Sequence, residues 1–222
     1  MLTGIPAGAA ASYHAGLCVV ILRPMVILRS GGFTKIPWKN GLGVSEVIAS
    51  DPPSAGYDSV NWQVGTTEFG FDCPFSNLPG MDRQFMLLSG GGVELHCIDV
   101  VAGVDVRHAV DRPFVPFAFS GDAQTTCRML GDPVQVFNVM TRRGKATARI
   151  SLPRWSGALY CEQRPGEVVL GVLLAGIARV TGEAAALAMH EAVLLDAPSG
   201  GHCEIVVSKG DARMAVVHIA PV

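Results

Sequence analysis

One segment near the start of the chain gathers side chains that can bind a small, flat anion. It reads PWKNGLGVSE, and its candidate binding residues are Trp38, Lys39, Asn40 and Glu46. An indole can stack on a planar ligand, and an ammonium group attracts an anion. The structural alternative is a hairpin, because Asn40-Gly41 is a preferred two-residue turn, here between strands predicted at 33–38 and 44–48. A turn alone explains the glycine but not the charged and aromatic residues around it.

A second segment, PFSNLPGMDR, places an arginine at the start of an apolar strand. Arg83 follows a predicted tight turn at 78–81 and opens the strand 84–88. A guanidinium at the mouth of a β-sandwich can present two N–H donors to one carboxylate. The alternative is an arginine in solvent that pairs with Asp82 or another neighbour.

A third segment, FNVMTRRG, predicts a strand with a polar face. Alternation along the strand puts Asn138, Met140 and Arg142 on the same face. An asparagine and an arginine near a strand end can line a pocket. The run Arg142-Arg143-Gly144 is equally typical of a solvated hairpin exit, so both interpretations stay open.

The sequence shows none of the common motifs for metal binding, phosphate binding or nucleophilic catalysis. Its six histidines, at positions 14, 96, 108, 190, 202 and 218, form neither H-x-H nor H-E-x-x-H. Neither G-x-S-x-G nor a glycine-rich phosphate loop is present. We therefore expect no bound metal, no cofactor and no catalytic residue set.

Charge and cysteine usage narrow the classes of protein further. The formal net charge is −2, which gives no basic surface for a nucleic-acid backbone. The six cysteines are widely spaced without a C-x-x-C pair, so we interpret them as buried thiols and leave pairing among them open. The longest uncharged stretch is broken by glycine, proline and histidine. We therefore expect a cytoplasmic protein without a membrane-spanning segment.

The elements that must position the candidate residues are predicted to be short strands. The 26 glycines and 14 prolines are scattered over the chain and divide it into short pieces. Apolar and polar residues alternate with a period of two in several segments, such as Val60–Thr66, which is typical of half-buried strands. Glu183–Leu195 is alanine-rich and fits either a strand or a helix.

A weak internal repeat predicts two similar halves. The segment LLSG at Leu87–Gly90 recurs as LLAG at Leu173–Gly176, an offset of 173 − 87 = 86 residues. Pro116–Gly121 has a loose counterpart in Leu194–Gly200. Short strands separated by glycine turns, in the same order twice, are typical of jelly rolls. The sequence therefore predicts an all-β chain of two jelly-roll sandwiches.

The stretch before Met25 differs from the rest of the chain. Met1–Pro24 carries one full charge, Arg23. A signal peptide is one interpretation, but the positively charged start of such peptides is missing and the apolar run 17–22 is short. We interpret residues 1–24 as a disordered or mis-started extension, and we expect a chain without them to fold normally.

Four segments together resemble the HutD/Ves family in their order and approximate spacing. They are PWKNGLGVSE (37–46), PFSNLPGMDR (74–83), PFAFSGD (116–122) and FNVMTRRG (137–144). The resemblance covers residues 25–144 well and the remaining third only by its strand rhythm. It implies a double-cupin (bicupin) fold and an accessory or regulatory role in bacterial histidine utilisation, with no reaction firmly attached.

Carried over position by position, the resemblance implies a ligand pocket. Its residues would be Trp38, Lys39, Asn40, Glu46, Arg83, Asn138, Met140 and Arg142. One position departs from the family, which usually has an acidic residue directly before the phenylalanine of the third motif, where this chain has Val136. If that carboxylate contacts the ligand, this chain has lost the contact.

We interpret the chain as a cytoplasmic bicupin with an N-terminal half at 25–150 and a C-terminal half at 151–222. The N-terminal half would bind a small anionic metabolite, such as urocanate or formylglutamate, without turnover. Trp38 would stack on this ligand, and Arg83 and Arg142 would hold its carboxylate.

Two alternatives belong to other classes of protein. The first is an enzyme, a metal-independent isomerase or hydrolase in which Glu46 is the general base beside Lys39. The second is an interaction protein, in which the motifs build only the fold and the interface of a homodimer. Binding of a metabolite without turnover distinguishes the binding protein from both.

Overall fold

The structure, a computed structural model, describes residues 25–222, apart from the side chain of Ser208. The expectation about Met1–Pro24 lies outside these residues. Within the described part the chain forms seventeen strands and one 3₁₀ turn, at Ser30–Gly32, and no α-helix. The all-β prediction is confirmed, and the ambiguous segment Glu183–Leu195 contains a strand, β16, rather than a helix.

The strands are β1 (Met25–Leu28), β2 (Thr34–Pro37), β3 (Val44–Asp51), β4 (Trp62–Phe69), β5 (Cys73–Pro74), β6 (Met81–Ser89), β7 (Val93–Asp99), β8 (Val104–Val110), β9 (Phe117–Ser120), β10 (Gln124–Met129), β11 (Val134–Arg142), β12 (Ala146–Ser151), β13 (Arg154–Gln163), β14 (Val168–Ala175), β15 (Arg179–Val180), β16 (Ala192–Leu195) and β17 (Gly201–Pro221). They form three antiparallel sheets. A six-stranded sheet has the order β2-β3-β4-β11-β6-β9, and a four-stranded sheet has the order β5-β10-β7-β8. The third sheet has the order β1-β16-β14-β17-β12, and β13 and β15 also pair with β17.

The two halves repeat the same arrangement of strands. β6 lies between β11 and β9 in the first half, as β14 lies between β17 and β16 in the second. The recurring segments end these strands in the same way, because Gly90 follows β6 with a φ of 101° and Gly176 follows β14 with a φ of 89°. The internal repeat thus corresponds to two equivalent jelly-roll halves.

The pairing of strands does not follow the expected division at residue 150. β12 pairs with β17, so residues 146–151 belong to the second half. β1 also belongs there, because Met25 lies opposite Leu195 of β16. The first described strand is therefore exchanged onto the sheet of the second half, where Met25 packs against the apolar core.

The halves pack together through the apolar faces of their larger sheets. The six-stranded sheet contributes side chains that include Trp62, Val64, Phe137 and Val139, and the seven-stranded sheet contributes Leu170, Val172 and Val217. Side chains alternate along a strand, so the intervening residues of β4 and β11 point away from this interface. They point into the interior of the first half.

Replacing Gly90 with alanine is expected to destabilise the fold strongly. A residue with a Cβ rarely adopts its φ of 101°, and the added Cβ would lie against the carbonyl oxygen of Pro133. Gly103 is the matched control, because its φ is 68° but no atom lies within 4 Å of an added Cβ. In urea titrations, we expect Gly103→Ala to lower the free energy of unfolding by about 1 kcal/mol. Gly90→Ala should lower it by at least about 2 kcal/mol more, and equal losses would contradict this account.

Candidate functional site

The inner face of the six-stranded sheet lines a cavity of about 40 Å³ in the first half. The pairing register of β6 and β11 determines which side chains line one side of the cavity. Arg83 of β6 lies opposite Met140 of β11, and Phe85 lies opposite Asn138. Directly opposed residues of antiparallel strands point to the same face, so these four side chains meet in one layer. Val136 continues the same face of β11 and also lines the cavity.

Arg83 is the charged residue of this cavity, and no acidic residue lines the cavity with it. The residue is 9% exposed, and its Nε is buried without a hydrogen-bond partner. No carboxylate among the described residues forms an ion pair with it. Burial lowers the pKa of Arg83 to about 10, and the Tyr57 hydroxyl and Cys97 thiol oppose this only weakly. The guanidinium therefore carries a full, unneutralised charge at neutral pH.

Two aromatic rings hold the Arg83 guanidinium in place. Its central carbon lies 5.1 Å from the centroid of Phe75 and 4.9 Å from the centroid of Phe119. Each ring face attracts the cation, but neither provides an acceptor for its N–H groups. The N–H donors of Arg83 thus remain available to a ligand.

A chain of hydroxyl and indole groups forms the polar wall opposite the arginine. The Trp38 indole Nε1 donates a hydrogen bond to Ser45 Oγ at 3.1 Å, and Ser45 Oγ lies 2.8 Å from Thr67 Oγ1. Tyr57 adjoins this wall. Burial raises the pKa of its hydroxyl, while a hydrogen bond with Ser45 and the charge of Arg83 act in the opposite direction. The tyrosine therefore stays neutral and can donate a hydrogen bond.

Two amide side chains on the same face of the sheet also lack partners. Asn138 Oδ1 and Gln63 Oε1 are buried without a hydrogen bond within the described structure. Gln63 lies opposite Met140, so Gln63, Met140 and Arg83 form one row across three strands. Buried polar atoms in native proteins nearly always have a partner. Unpaired groups on this face therefore indicate a place for a polar ligand or water.

The second half has no arginine at the equivalent position. The repeat offset of 86 residues places Val169 of β14 at the position of Arg83, because Val169 lies opposite Leu195 as Arg83 lies opposite Phe119. Val169 is fully buried in an apolar core. The cavity is thus a property of the first half and not of the fold in general.

Four of the eight sequence-predicted residues line the cavity, namely Trp38, Arg83, Asn138 and Met140. The others do not. Lys39 is exposed and pairs with Asp58 at 2.7 Å. Glu46 points to the outer face of β3, where it lies 3.6 Å from Lys35. The structure therefore does not bring Glu46 and Lys39 together as a base and its neighbouring cation, because each side chain pairs with a different residue.

Asn40 and Arg142 support the cavity walls without lining them. Asn40 Nδ2 donates to the Pro74 carbonyl at 2.8 Å, which ties the first motif to the second. Arg142 donates to the carbonyl oxygens of Val60 at 2.9 Å and Tyr57 at 2.8 Å. These bonds direct its guanidinium to the loop that carries Tyr57, so the structure does not bring Arg142 into the cavity.

The hairpin of the first motif is longer than predicted. The Trp38 amide donates to the Gly43 carbonyl, and the Gly41 amide donates to the Trp38 carbonyl. Asn40-Gly41 therefore lies inside a longer loop between β2 and β3 instead of forming a two-residue turn. The longer loop leaves room for the Trp38 side chain to turn inwards.

The sequence-predicted set does not include several residues that line the cavity. Some of them could have been found from the sequence, and one could not. Ser45 lies one residue before Glu46, so an assignment of strand faces would have selected Ser45. Phe75 lies in the segment PFSNLPGMDR and Phe119 in the segment PFAFSGD. By residue type alone, both are typical of a hydrophobic core. Tyr57 lies in a loop between β3 and β4 and carries no signal in the sequence.

Metal-ligating side chains are not clustered in the described part of the chain. Residues 25–222 contain no group of three or more histidine, cysteine, aspartate or glutamate side chains that could hold a metal ion. The cavity lining itself contains one cation, several hydroxyl groups and the amide of Asn138. Among the helical segments of this region none is long and apolar enough to cross a membrane.

Two jelly-roll halves in one chain, with a polar cavity enclosed in one of them, define a double-cupin protein. The family model HutD matches residues 31–214. The chain therefore belongs to the HutD family, as the four motifs suggested.

Curated relatives match part of the chain. An uncharacterised 21.2 kDa protein in the hutC 3′ region of Pseudomonas putida is 31% identical over 134 residues, which cover 60% of this chain and 67% of that protein. Protein Ves of Cronobacter sakazakii is 31% identical over 114 residues, or 51% of this chain and 58% of that protein. The matched part thus spans about two thirds of the first relative and less of the second.

Solved structures resemble the whole fold. HutD from Pseudomonas fluorescens, in a formate condition, has a TM-score of 0.71 at 24% identity and covers 89% of this chain and 99% of that chain. The bacterial pirin YhhW from Escherichia coli, in complex with nickel(II), has a TM-score of 0.60 at 10% identity and covers 89% of this chain and 100% of that chain. These likenesses show the fold alone. The nickel of the pirin has no counterpart in the side chains described above.

Replacing Arg83 with methionine is expected to leave the free energy of unfolding unchanged or to raise it. A pKa of about 10 instead of 12.5 corresponds to a burial cost of about 3 kcal/mol, which the two aromatic contacts offset only in part. Arg142→Met is the contrasting variant, because it removes two hydrogen bonds and should lower the free energy of unfolding by about 1 to 3 kcal/mol. Urea titrations compare the two. A larger loss for Arg83→Met would make Arg83 a structural residue.

Proposed function

We propose that the first half of this protein binds the carboxylate of a small metabolite without turning it over. The observation that carries the proposal is the buried, unpaired guanidinium of Arg83. A buried charge is costly unless an opposite charge neutralises it, so a bound carboxylate would recover the cost of burial. This role makes the chain an accessory or regulatory protein of histidine utilisation.

The cavity size and lining support a small or slender ligand. A volume of about 40 Å³ accommodates a carboxylate group and little more. The rest of a larger ligand, such as urocanate or formylglutamate, would extend towards the half-buried Trp38. Stacking on this indole suits a planar group, and the hydroxyl of Tyr57 would donate a hydrogen bond to a ligand oxygen.

The absence of a positioned base in the cavity favours binding over catalysis. The enzyme alternative assigned general-base chemistry to Glu46, which lies on the outer face of β3 and pairs with Lys35. The titratable side chains that line the cavity are those of Arg83 and Tyr57. Neither is an effective base at neutral pH, because one is cationic and the other is a neutral phenol.

The genomic setting of a relative supports the pathway. The Pseudomonas putida relative lies in the hutC 3′ region. Intermediates of histidine breakdown carry carboxylates, which fits the charge of the cavity. We further propose that the protein acts in the cytoplasm, where such intermediates are produced, and that any homodimer leaves the cavity open.

Loss of Arg83 is expected to weaken carboxylate binding more than loss of Lys39. A guanidinium binds both carboxylate oxygens, so Arg83→Met should weaken the tightest ligand by about ten- to a hundredfold, or roughly 1.5 to 3 kcal/mol. Lys39→Met should have a smaller effect that disappears at high salt, because Lys39 is exposed and already paired with Asp58.

Calorimetry with formate, acetate, urocanate and formylglutamate tests this ranking, with acetamide as the uncharged control. NMR of the ligand after long incubation measures turnover. Normal binding by folded Arg83→Met would place the site elsewhere, and conversion of a bound ligand would favour an enzyme.

Placing an acid at position 136 is expected to weaken anion binding. Val136 lines the cavity on the same strand face as Asn138, so Val136→Glu would place a carboxylate where the ligand binds. This carboxylate would compete for Arg83 and should weaken binding at least about tenfold. Val136→Gln is the matched control, because it has the same shape without the charge. Equal affinities of the two variants in calorimetry would refute electrostatic competition at this position.

A further inference from the structure

Two pairs of cysteines face each other across neighbouring strands, one pair in each half. Cys73 of β5 lies directly opposite Cys127 of β10, and Cys161 of β13 lies directly opposite Cys203 of β17. All four are buried free thiols, with exposures of 2–6%. Cys97 differs from them, because the residue opposite it is Thr125.

The two pairs occupy equivalent positions in the repeat. β5 directly precedes β6, as β13 directly precedes β14. Cys127 and Cys203 are 203 − 127 = 76 residues apart, the same spacing as Phe119 and Leu195, which take equivalent places opposite Arg83 and Val169. Opposed thiols therefore recur at one structural position in the two halves.

The geometry of each pair suits a disulfide. Directly opposed residues of antiparallel strands have Cα atoms about 4.5 to 5.5 Å apart, and a disulfide needs about 4.4 to 6.8 Å. In each pair one thiol hydrogen-bonds to the other, which lowers the pKa of Cys73 and of Cys161. Since the thiolate is the nucleophile in thiol oxidation, one thiol of each pair reacts with the oxidant and its neighbour is placed to complete the disulfide.

We propose that Cys73–Cys127 and Cys161–Cys203 are two dithiol sites that form intramolecular disulfides when the protein meets a peroxide. The first sulfur attacks one peroxide oxygen, the O–O bond breaks, and water leaves after proton transfer, which gives a sulfenic acid. The second thiol loses its proton and attacks the sulfenic sulfur, so the S–S bond forms and a second water leaves. Two thiols thus lose two electrons and two protons, and the peroxide is reduced to two waters.

The pair in the first half should oxidise before the pair in the second. β5 spans two residues and pairs with β10 alone, at the edge of its sheet. β13 spans 10 residues and pairs with the 21-residue β17. A short edge strand opens locally at a lower cost than a long one, so peroxide reaches Cys73 more often than Cys161.

The first disulfide would also fix one wall of the cavity. Phe75 lies two residues after Cys73, and its ring holds the Arg83 guanidinium at 5.1 Å. A bond to β10 would restrain this segment and slow the exchange of a ligand. This consequence rests on the proposed anion site, whereas formation of the disulfides does not.

Peptide mapping of the full chain tests the proposal. The reduced protein is treated with hydrogen peroxide for a series of times, remaining thiols are alkylated in denaturant, and tryptic peptides are analysed without reduction. Arg83 and Arg107 separate Cys73 from Cys127, and Arg179 separates Cys161 from Cys203, so each disulfide joins two distinct peptides. We expect both linked pairs, each lighter by about 2 Da than its free thiols. The first should form at least about ten times faster than the second.

Variants and a stability measurement provide controls. Cys73→Ser should lose the first bond and keep the second, while Cys97→Ser should keep both. Oxidation should raise the melting temperature by roughly 5 to 10 °C, because each bond restrains the unfolded chain. The proposal is refuted if all four thiols remain alkylatable after oxidation, or if Cys97 or Cys18 is linked to one of them. Linkage mapping does not depend on ligand binding, so its result stands whether or not the anion site is confirmed.

Discussion

Strands β4, β6 and β11 bury both of their faces, and this constraint determines where the polar residues of the first half lie. One face packs against the second half through residues such as Trp62 and Val139. Because side chains alternate, every second position points into the first half, and there the sequence carries Gln63, Asn138 and Arg83. The fold itself therefore encloses these polar groups. A shift of β11 by one residue would exchange the apolar interface with the polar interior, so packing between the halves also fixes the register of the site.

The two halves differ in the residue that they bury at the position of Arg83. In the second half Val169 takes the position that corresponds to Arg83, and it belongs to an apolar core that includes Val216. The first half instead carries an arginine whose burial costs free energy. The apolar second half and the interface compensate for this cost. Val136 belongs to the same arrangement, because it adds an apolar side chain to the lining of the cavity that holds Arg83.

The sequence predicts those parts of this arrangement that depend on residues close together in the chain. Alternation placed Asn138 and Met140 on one face because β11 is regular there, and the glycine repeat marked equivalent strand ends. Arg142 continues the same alternation but lies at the end of the strand, where nearby carbonyls of a distant loop take its guanidinium. Glu46 was misplaced because its motif was read as a group around a turn, without an assignment of strand faces. Pairings between distant segments, such as β1 with β16, leave no periodic signal in the sequence.

The exchanged strand β1 has a consequence for synthesis of the protein on the ribosome. Met25 pairs with Leu195, so 195 − 25 = 170 residues separate the two partners. The first strand leaves the ribosome long before its partner has been made, and its backbone groups must remain unpaired or be shielded during that interval. The six-stranded sheet can assemble earlier, but the apolar face that it presents to the second half then has nothing to cover it. The nascent chain therefore passes through a stage in which its largest apolar surface is open to chaperones and to other chains.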